Sequence, residues 1–100
     1  MNEVSWTENS LNQLKNIREQ IEKDSHQQSQ LMIDRLLYES TWLKLNPRIG
    51  RIVPEIKNPE IREILKGTFR VIYLYQDQES KVIVLAVHQS MKDLSRRGYL

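Results

Sequence analysis

Residues 47–94 read PRIGRIVPEIKNPEIREILKGTFRVIYLYQDQESKVIVLAVHQSMKDL, and the pattern of apolar residues in this stretch decides the fold. Phe69 to Tyr75 is dominated by β-branched and aromatic residues and predicts the strongest strand of the chain. Lys81 to His88 predicts a second strand and Ile61 to Leu65 a third. Between them, Lys66-Gly67-Thr68 is a turn that glycine makes possible, and Gln76 to Ser80 is a polar loop. Three consecutive strands with short connections make an antiparallel meander. Arg51 to Ile56, just upstream, is extended and kinked at Pro54. Arg51, Arg62, Lys66, Arg70, His88 and Lys92 sit among or beside these runs. Either they are solvated outer-face residues or they assemble a positive surface for an anionic partner.

Toward the N-terminus the period changes from two to that of a helix. Val4 to Trp6 is a short β-like run, and Thr7 offers a hydroxyl N-cap. Leu11, Leu14, Ile17 and Ile21 then form a single helical stripe, predicting a helix from Glu8 to Lys23. Ser25 and Gln28 make a capping-box pattern for a second helix with a broad apolar stripe from Leu31 to Leu45. That helix ends at Asn46-Pro47, because proline disfavours helical backbone in the residue before it. Two helices joined at a tight turn around Asp24 form an αα-hairpin. Met91 to Arg97 adds a short C-terminal helix. Helices first and an antiparallel sheet after give an α+β fold, with the hairpin on one sheet face.

One hundred residues make a single domain spanning 1–100. Residues 1–50 hold 6 Lys/Arg against 7 Asp/Glu, and residues 51–100 hold 9 against 6, so the β-rich half is the positive one. The absence of cysteine excludes disulfides, thiolate metal sites and thiol nucleophiles. No stretch approaches the ~20 apolar residues of a membrane helix, and MNEVSWTENS lacks the regions of a signal peptide. These features predict a cytoplasmic protein with no membrane partner. His26 and His88 are far apart and no carboxylates follow metal-loop spacing, so no metal and no cofactor are expected.

Alternate strand residues share a face. Arg62, Ile64 and Lys66 therefore point one way; Arg70, Ile72 and Leu74 share a face, as do Val82, Val84, Ala86 and His88. Arg62, Arg70 and His88 meet in one patch if all lie on the uncovered side. Glu63, beside Arg62, faces the opposite way from it.

The order strand, helical hairpin, PRIGRIVPE (48–55 within it), IREILKGTFRVIY (61–73) and VHQSMKDL (87–94) resembles the RelE/ParE superfamily of toxins from bacterial toxin–antitoxin modules. The resemblance covers nearly the whole chain from Val4. It implies a growth-inhibiting toxin neutralised by a cognate antitoxin that wraps an extended or helical segment around it. Members of one branch are ribosome-dependent mRNA endonucleases; those of the other poison DNA gyrase. If the chain is a nuclease, the resemblance implies Arg62, Arg70 and His88 for phosphate and proton, with Glu63 as a further proton-transfer candidate. Arg70 matches the arginine of the family's aromatic-Arg-x-x-Tyr strand. The ending from His88 to Leu94, with Lys92 in place of an arginine, is closer to the ParE or plasmid-stabilisation type.

The leading expectation is therefore a non-enzymatic gyrase inhibitor that uses Arg62, Lys66, Arg70, His88 and Lys92 as contact residues and does not bind DNA directly. The alternatives are an mRNA interferase, or a non-toxic antitoxin-binding module. Beside each site residue stands a plainer role. Arg70 pairs with Glu63 or Glu55 to support the sheet, His88 is a structural histidine, and Arg51, Lys66 and Lys92 are solvated turn residues. His26 is solvated, Trp6 and Trp42 are core anchors, the Ser95-Arg96-Arg97 tail is a solvated end, and Tyr99 is a late aromatic that nothing places in a cleft.

Overall fold

A computed structural model of the chain describes residues 2–66 and 69–89. Its elements run β1 (Glu3–Trp6), α1 (Glu8–Asp24), α2 (His26–Leu45), β2 (Arg51–Ile52), β3 (Ile61–Lys66), β4 (Phe69–Gln76) and β5 (Lys81–Gln89). The fold is α+β, as the helix-then-meander order predicts. The short C-terminal helix expected at Met91 to Arg97 lies outside the described residues, as do Lys92 and Tyr99.

Both helix starts are set locally. The Thr7 hydroxyl accepts from the Ser10 N–H at 3.1 Å, and the Ser25 hydroxyl accepts from the Gln28 N–H at 3.2 Å. Ser25 alone separates the helices, its own N–H closing α1 on the Ile21 carbonyl while its side chain opens α2. Each cap satisfies an end group that would otherwise lose its hydrogen bond.

The sheet has the order β1-β5-β4-β3-β2, antiparallel throughout except where β1 runs parallel to β5 at one edge. The helical hairpin covers one face. Ile17, Met32 and Leu36 pack on Phe69, Val71, Val84 and Val87, and Leu43 packs with Tyr73, Tyr75 and Val82. β4 alternates strictly between buried and half-buried residues, so its odd-numbered side chains face the helices. The extended stretch expected from Arg51 to Ile56 is shorter than its composition suggests. Strand pairing stops at Ile52, and Pro54 to Ile56 turns before Lys57, at φ 58°.

β5 corrects the sequence reading. Ile72 pairs with Ala86 but Tyr73 pairs with Val84, so Leu85 is an extra residue in the strand. Such a bulge reverses the alternation beyond it. Val82 and Val84 face the helices, whereas Ala86 and His88 pair with Ile72 and Arg70 on the other face. The four residues predicted to share a face are divided in two.

Tyr73 pins the connection between α2 and the sheet. It is fully buried, its hydroxyl donates to the Pro47 carbonyl at 2.7 Å, and it accepts from the Gly50 N–H at 2.9 Å. A Cβ at Gly50 would lie 2.6 Å from that hydroxyl and 2.7 Å from the Glu63 carbonyl oxygen, so only glycine fits. Burial raises the Tyr73 pKa above its usual value, against the opposing pull of the Gly50 N–H and the Arg62 charge. Tyr75 is raised too, chiefly by its hydrogen bond to Asp77.

A raised tyrosine pKa stabilises the fold below the unfolded value of about 10, and that contribution is lost as pH rises through the folded value. Urea unfolding is therefore expected to show stability falling above pH of about 10. Tyr73→Phe should lessen that alkaline slope while costing about 1–3 kcal/mol at neutral pH through its lost hydrogen bonds.

Candidate functional site

The site is organised by a carboxylate. Glu63 lies in the middle of β3, with β2 on one side and β4 on the other. Arg51 is directly opposite it on β2 and Ile72 directly opposite on β4, which leaves Arg70 on the diagonal of the same face. The Glu63 side chain is 0% exposed. Its Oε1 accepts from Arg51 Nε at 2.6 Å, and its Oε2 accepts from Arg70 Nε. Arg70 Nη2 in turn donates to Glu55 Oε2 at 2.8 Å. A buried carboxylate needs such charge-assisted bonds, because desolvating it alone is costly. Desolvation works to lower the Arg70 pKa, but the hydrogen bonds and charges of Glu55 and Glu63 outweigh it and hold it raised.

Arg70 therefore occupies its plainer role, and with both candidate carboxylates rather than one. Its side chain is only 14% exposed. Arg51, expected to be solvated, is the second clamp on Glu63. His88 lies directly across the β4–β5 pairing from Arg70 and is exposed. That neighbourhood exists because of the bulge at Leu85; unbroken alternation would have turned His88 toward the helices.

Arg62 does not join them. It pairs with Tyr73 across β3 and β4, on the helix-facing side of the sheet. There its Nη1 donates to the Gly50 carbonyl at 3.0 Å, while its Nε is buried without a hydrogen-bond partner among the described residues. The expectation of one patch holding Arg62, Arg70 and His88 is corrected by this register. Lys66 ends β3, but its side chain and Lys92 lie outside the described residues. Beside the cluster the far face carries an apolar strip, Ile72, Leu74 and Ile83, each half-buried. Among the described residues no group of three or more His, Asp or Glu side chains could hold a metal ion. No helix there is long and apolar enough to cross a membrane.

A groove of about 580 Å³ opens between α2 and the edge of β3, lined by Tyr38, Trp42, Ile49, Arg51, Ile64 and Leu65. Trp42 is 40% exposed here rather than a core anchor, and its ring meets Tyr38 edge-on with centroids 6.2 Å apart. Trp6, by contrast, does pack against the core. Tyr75 N–H bonds the Glu60 carbonyl and Val53 N–H bonds the Ile61 carbonyl, so odd-numbered β3 residues direct their backbone groups away from β4. β2 ends opposite Glu63, which leaves the Leu65 N–H and C=O facing the groove beyond the last strand pair. No signal in the sequence marks this edge, because it follows from how soon β2 stops.

Residues 4–94 match the family model described as ParE toxin of type II toxin-antitoxin system, parDE. The fold is similar to that of solved toxin–antitoxin proteins. A chain of the ParDE system of P. aeruginosa superposes with a TM-score of 0.70 at 14% identity, covering 90% of this chain and 97% of that one. A chain of the Mycobacterium tuberculosis RelBE2 complex gives 0.61 at 18% identity, covering 88% and 96%. A chain of the intact E. coli RelBE complex gives 0.56 at 20%, covering 92% and 100%. No curated protein sequence matches.

Arg70→Ala should cost about 3 kcal/mol in urea denaturation, since it leaves the Glu63 carboxylate buried with one cation fewer. His88→Ala should change stability by no more than about 0.5 kcal/mol.

Proposed function

The chain belongs to the ParE toxin family of type II toxin–antitoxin systems, and from that premise we propose that it arrests growth by docking on DNA gyrase, without covalent chemistry of its own. The observation that carries this reading is the state of Arg70. Cleavage of RNA by its own 2′-hydroxyl needs a base, an acid and a cation free to take up phosphorane charge. Here the cation best placed by motif is held by two carboxylates and nearly buried. Arg62 is spent on the opposite face of the sheet. What the far face offers instead is a half-buried apolar strip, Ile72, Leu74 and Ile83, with His88 at one end. A surface of that kind suits protein docking better than phosphate chemistry.

Neutralisation, on the same reading, takes place at the groove between α2 and β3. An extended antitoxin segment entering it would continue the sheet at Leu65 and place alternate side chains against Tyr38 and Trp42. Cytoplasmic action fits both the proposed target and the cysteine-free sequence.

One observation favours a second reading, the ribosome-dependent mRNA interferase: Arg70 and His88 are immediate cross-strand neighbours. Supercoiling by purified gyrase separates the two. The proposed function predicts inhibition that rises with added protein, with no mRNA cuts in a translation extract. A lack of inhibition at excess protein, together with His88-dependent mRNA cuts in a translation extract, would establish the interferase instead. Silence in both assays from a folded protein would mark a non-toxic antitoxin-binding module.

A further inference from the structure

Residues 51–57 are fastened at both ends and lightly in between. Upstream, the Tyr73 hydroxyl and Arg62 Nη1 fix the main chain at Pro47 and Gly50. Downstream, Asn58 starts β3 without help from the segment. Its carbonyl accepts from the Ile61 N–H at 2.9 Å and its side chain from the Glu60 N–H at 2.9 Å. Between these points β2 contributes two paired residues, and the Val53 N–H donates to the Ile61 carbonyl at 3.3 Å. Val53 is 1% exposed, and the other residues of the segment are all exposed.

Charge stands in for a longer ladder. Arg51 reaches Glu63, and Glu55 reaches Arg70, from side chains 43% and 60% exposed. Ion pairs with one partner so open to water are weak and screened by salt. Releasing them strands no charge in the interior, because Arg51 and Glu55 go to water while Glu63 and Arg70 keep each other. The backbone favours release as well. Lys57 sits at φ 58°, a left-handed conformation that is costly for a residue with a side chain and persists only where its surroundings impose it. The turn that imposes it closes where the Lys57 N–H donates to the Val53 carbonyl at 2.9 Å.

We propose that residues 51–57 form a strap that opens as a unit while the rest of the sheet stays folded, and that its opening sets how much of the β3 edge can pair with an added strand. Closed, the strap covers the outward main-chain groups of Ile61 and Glu63 and leaves those of Leu65 facing the groove. Open, it frees Ile61, Glu63 and Leu65 together, a run of about 13 Å along the strand. An extended partner segment needs such a run to pair at more than one residue.

Amide hydrogen exchange of the purified full-length chain, read residue by residue by NMR, tests this with no partner present. The Val53, Lys57 and Glu63 N–H groups report the strap and the edge beneath it. The Tyr75 N–H, bonded to the Glu60 carbonyl, reports the sheet. The first three are expected to exchange through one shared opening, populated at least about tenfold more than the opening that frees Tyr75. Glu55→Gln should speed strap exchange about threefold by removing one latch. Ile17→Val, in the core away from the strap, should speed exchange at Tyr75 about fivefold and leave the strap unchanged. Glu55 is exposed and Ile17→Val is conservative, so both variants fold. Val53, Lys57 and Glu63 amides as slow as Tyr75, or speeded with it by Ile17→Val, overturn the proposal, since the segment then opens only with the whole sheet. Fast exchange at Val53 and Lys57 with Glu63 still slow overturns it too, because the edge then stays covered. None of these outcomes depends on whether the chain inhibits gyrase.

Discussion

The sheet depends on one buried carboxylate. Glu63 has no exposed surface, and its two oxygens are taken by arginines arriving from the strands on either side. Because β2 pairs with β3 at only two positions, its backbone ladder alone is a weak attachment. The Arg51–Glu63 ion pair adds a charge-assisted bond at that point, and the Arg70–Glu55 bond ties in the turn that follows. Removing Glu63 leaves the nearly buried Arg70 short of a partner, and removing Arg70 leaves Glu63 with one cation fewer, which is why the pair behaves as a unit. On the proposed reading it also bears on chemistry, since an arginine that balances a buried carboxylate is a poorer partner for a phosphate.

Much of this was legible in the sequence, for local reasons. The caps at Thr7 and Ser25, the stop before Pro47 and the β-branched runs of β4 and β5 are signals a few residues long, and each element appears where its signal lies. The pairing of Arg70 with Glu63 or Glu55 was also readable, since opposite charges at strand spacing invite it. What was not legible is register. The run Val-Leu-Ala-Val at 84–87 is uniformly apolar, so nothing in it marks Leu85 as the extra residue that moves His88 to the face of Arg70. Likewise Arg62 and Arg70 read as equivalent cations, and only the pairing of Arg62 with Tyr73 separates them. Trp42 was misread because a broad apolar stripe does not disclose that it comprises two faces.

Those two faces of α2 give the surface its logic. The groove beside β3 and the exposed face of α2 share Tyr38 and Trp42, so the two form one continuous apolar surface. The far face of the sheet, with its apolar strip and His88, stays clear of both.

A double-mutant cycle on Glu63 and Arg70 tests the structural role of this cluster most directly. Stabilities of wild type, Glu63→Gln, Arg70→Gln and the double variant, taken from urea unfolding, isolate the coupling between the two side chains. The account predicts a favourable coupling of about 2–3 kcal/mol, the double variant being less damaged than the single changes together imply. A coupling within about 0.5 kcal/mol of zero would contradict it, because Arg70 would then be free of Glu63 and available for chemistry after all.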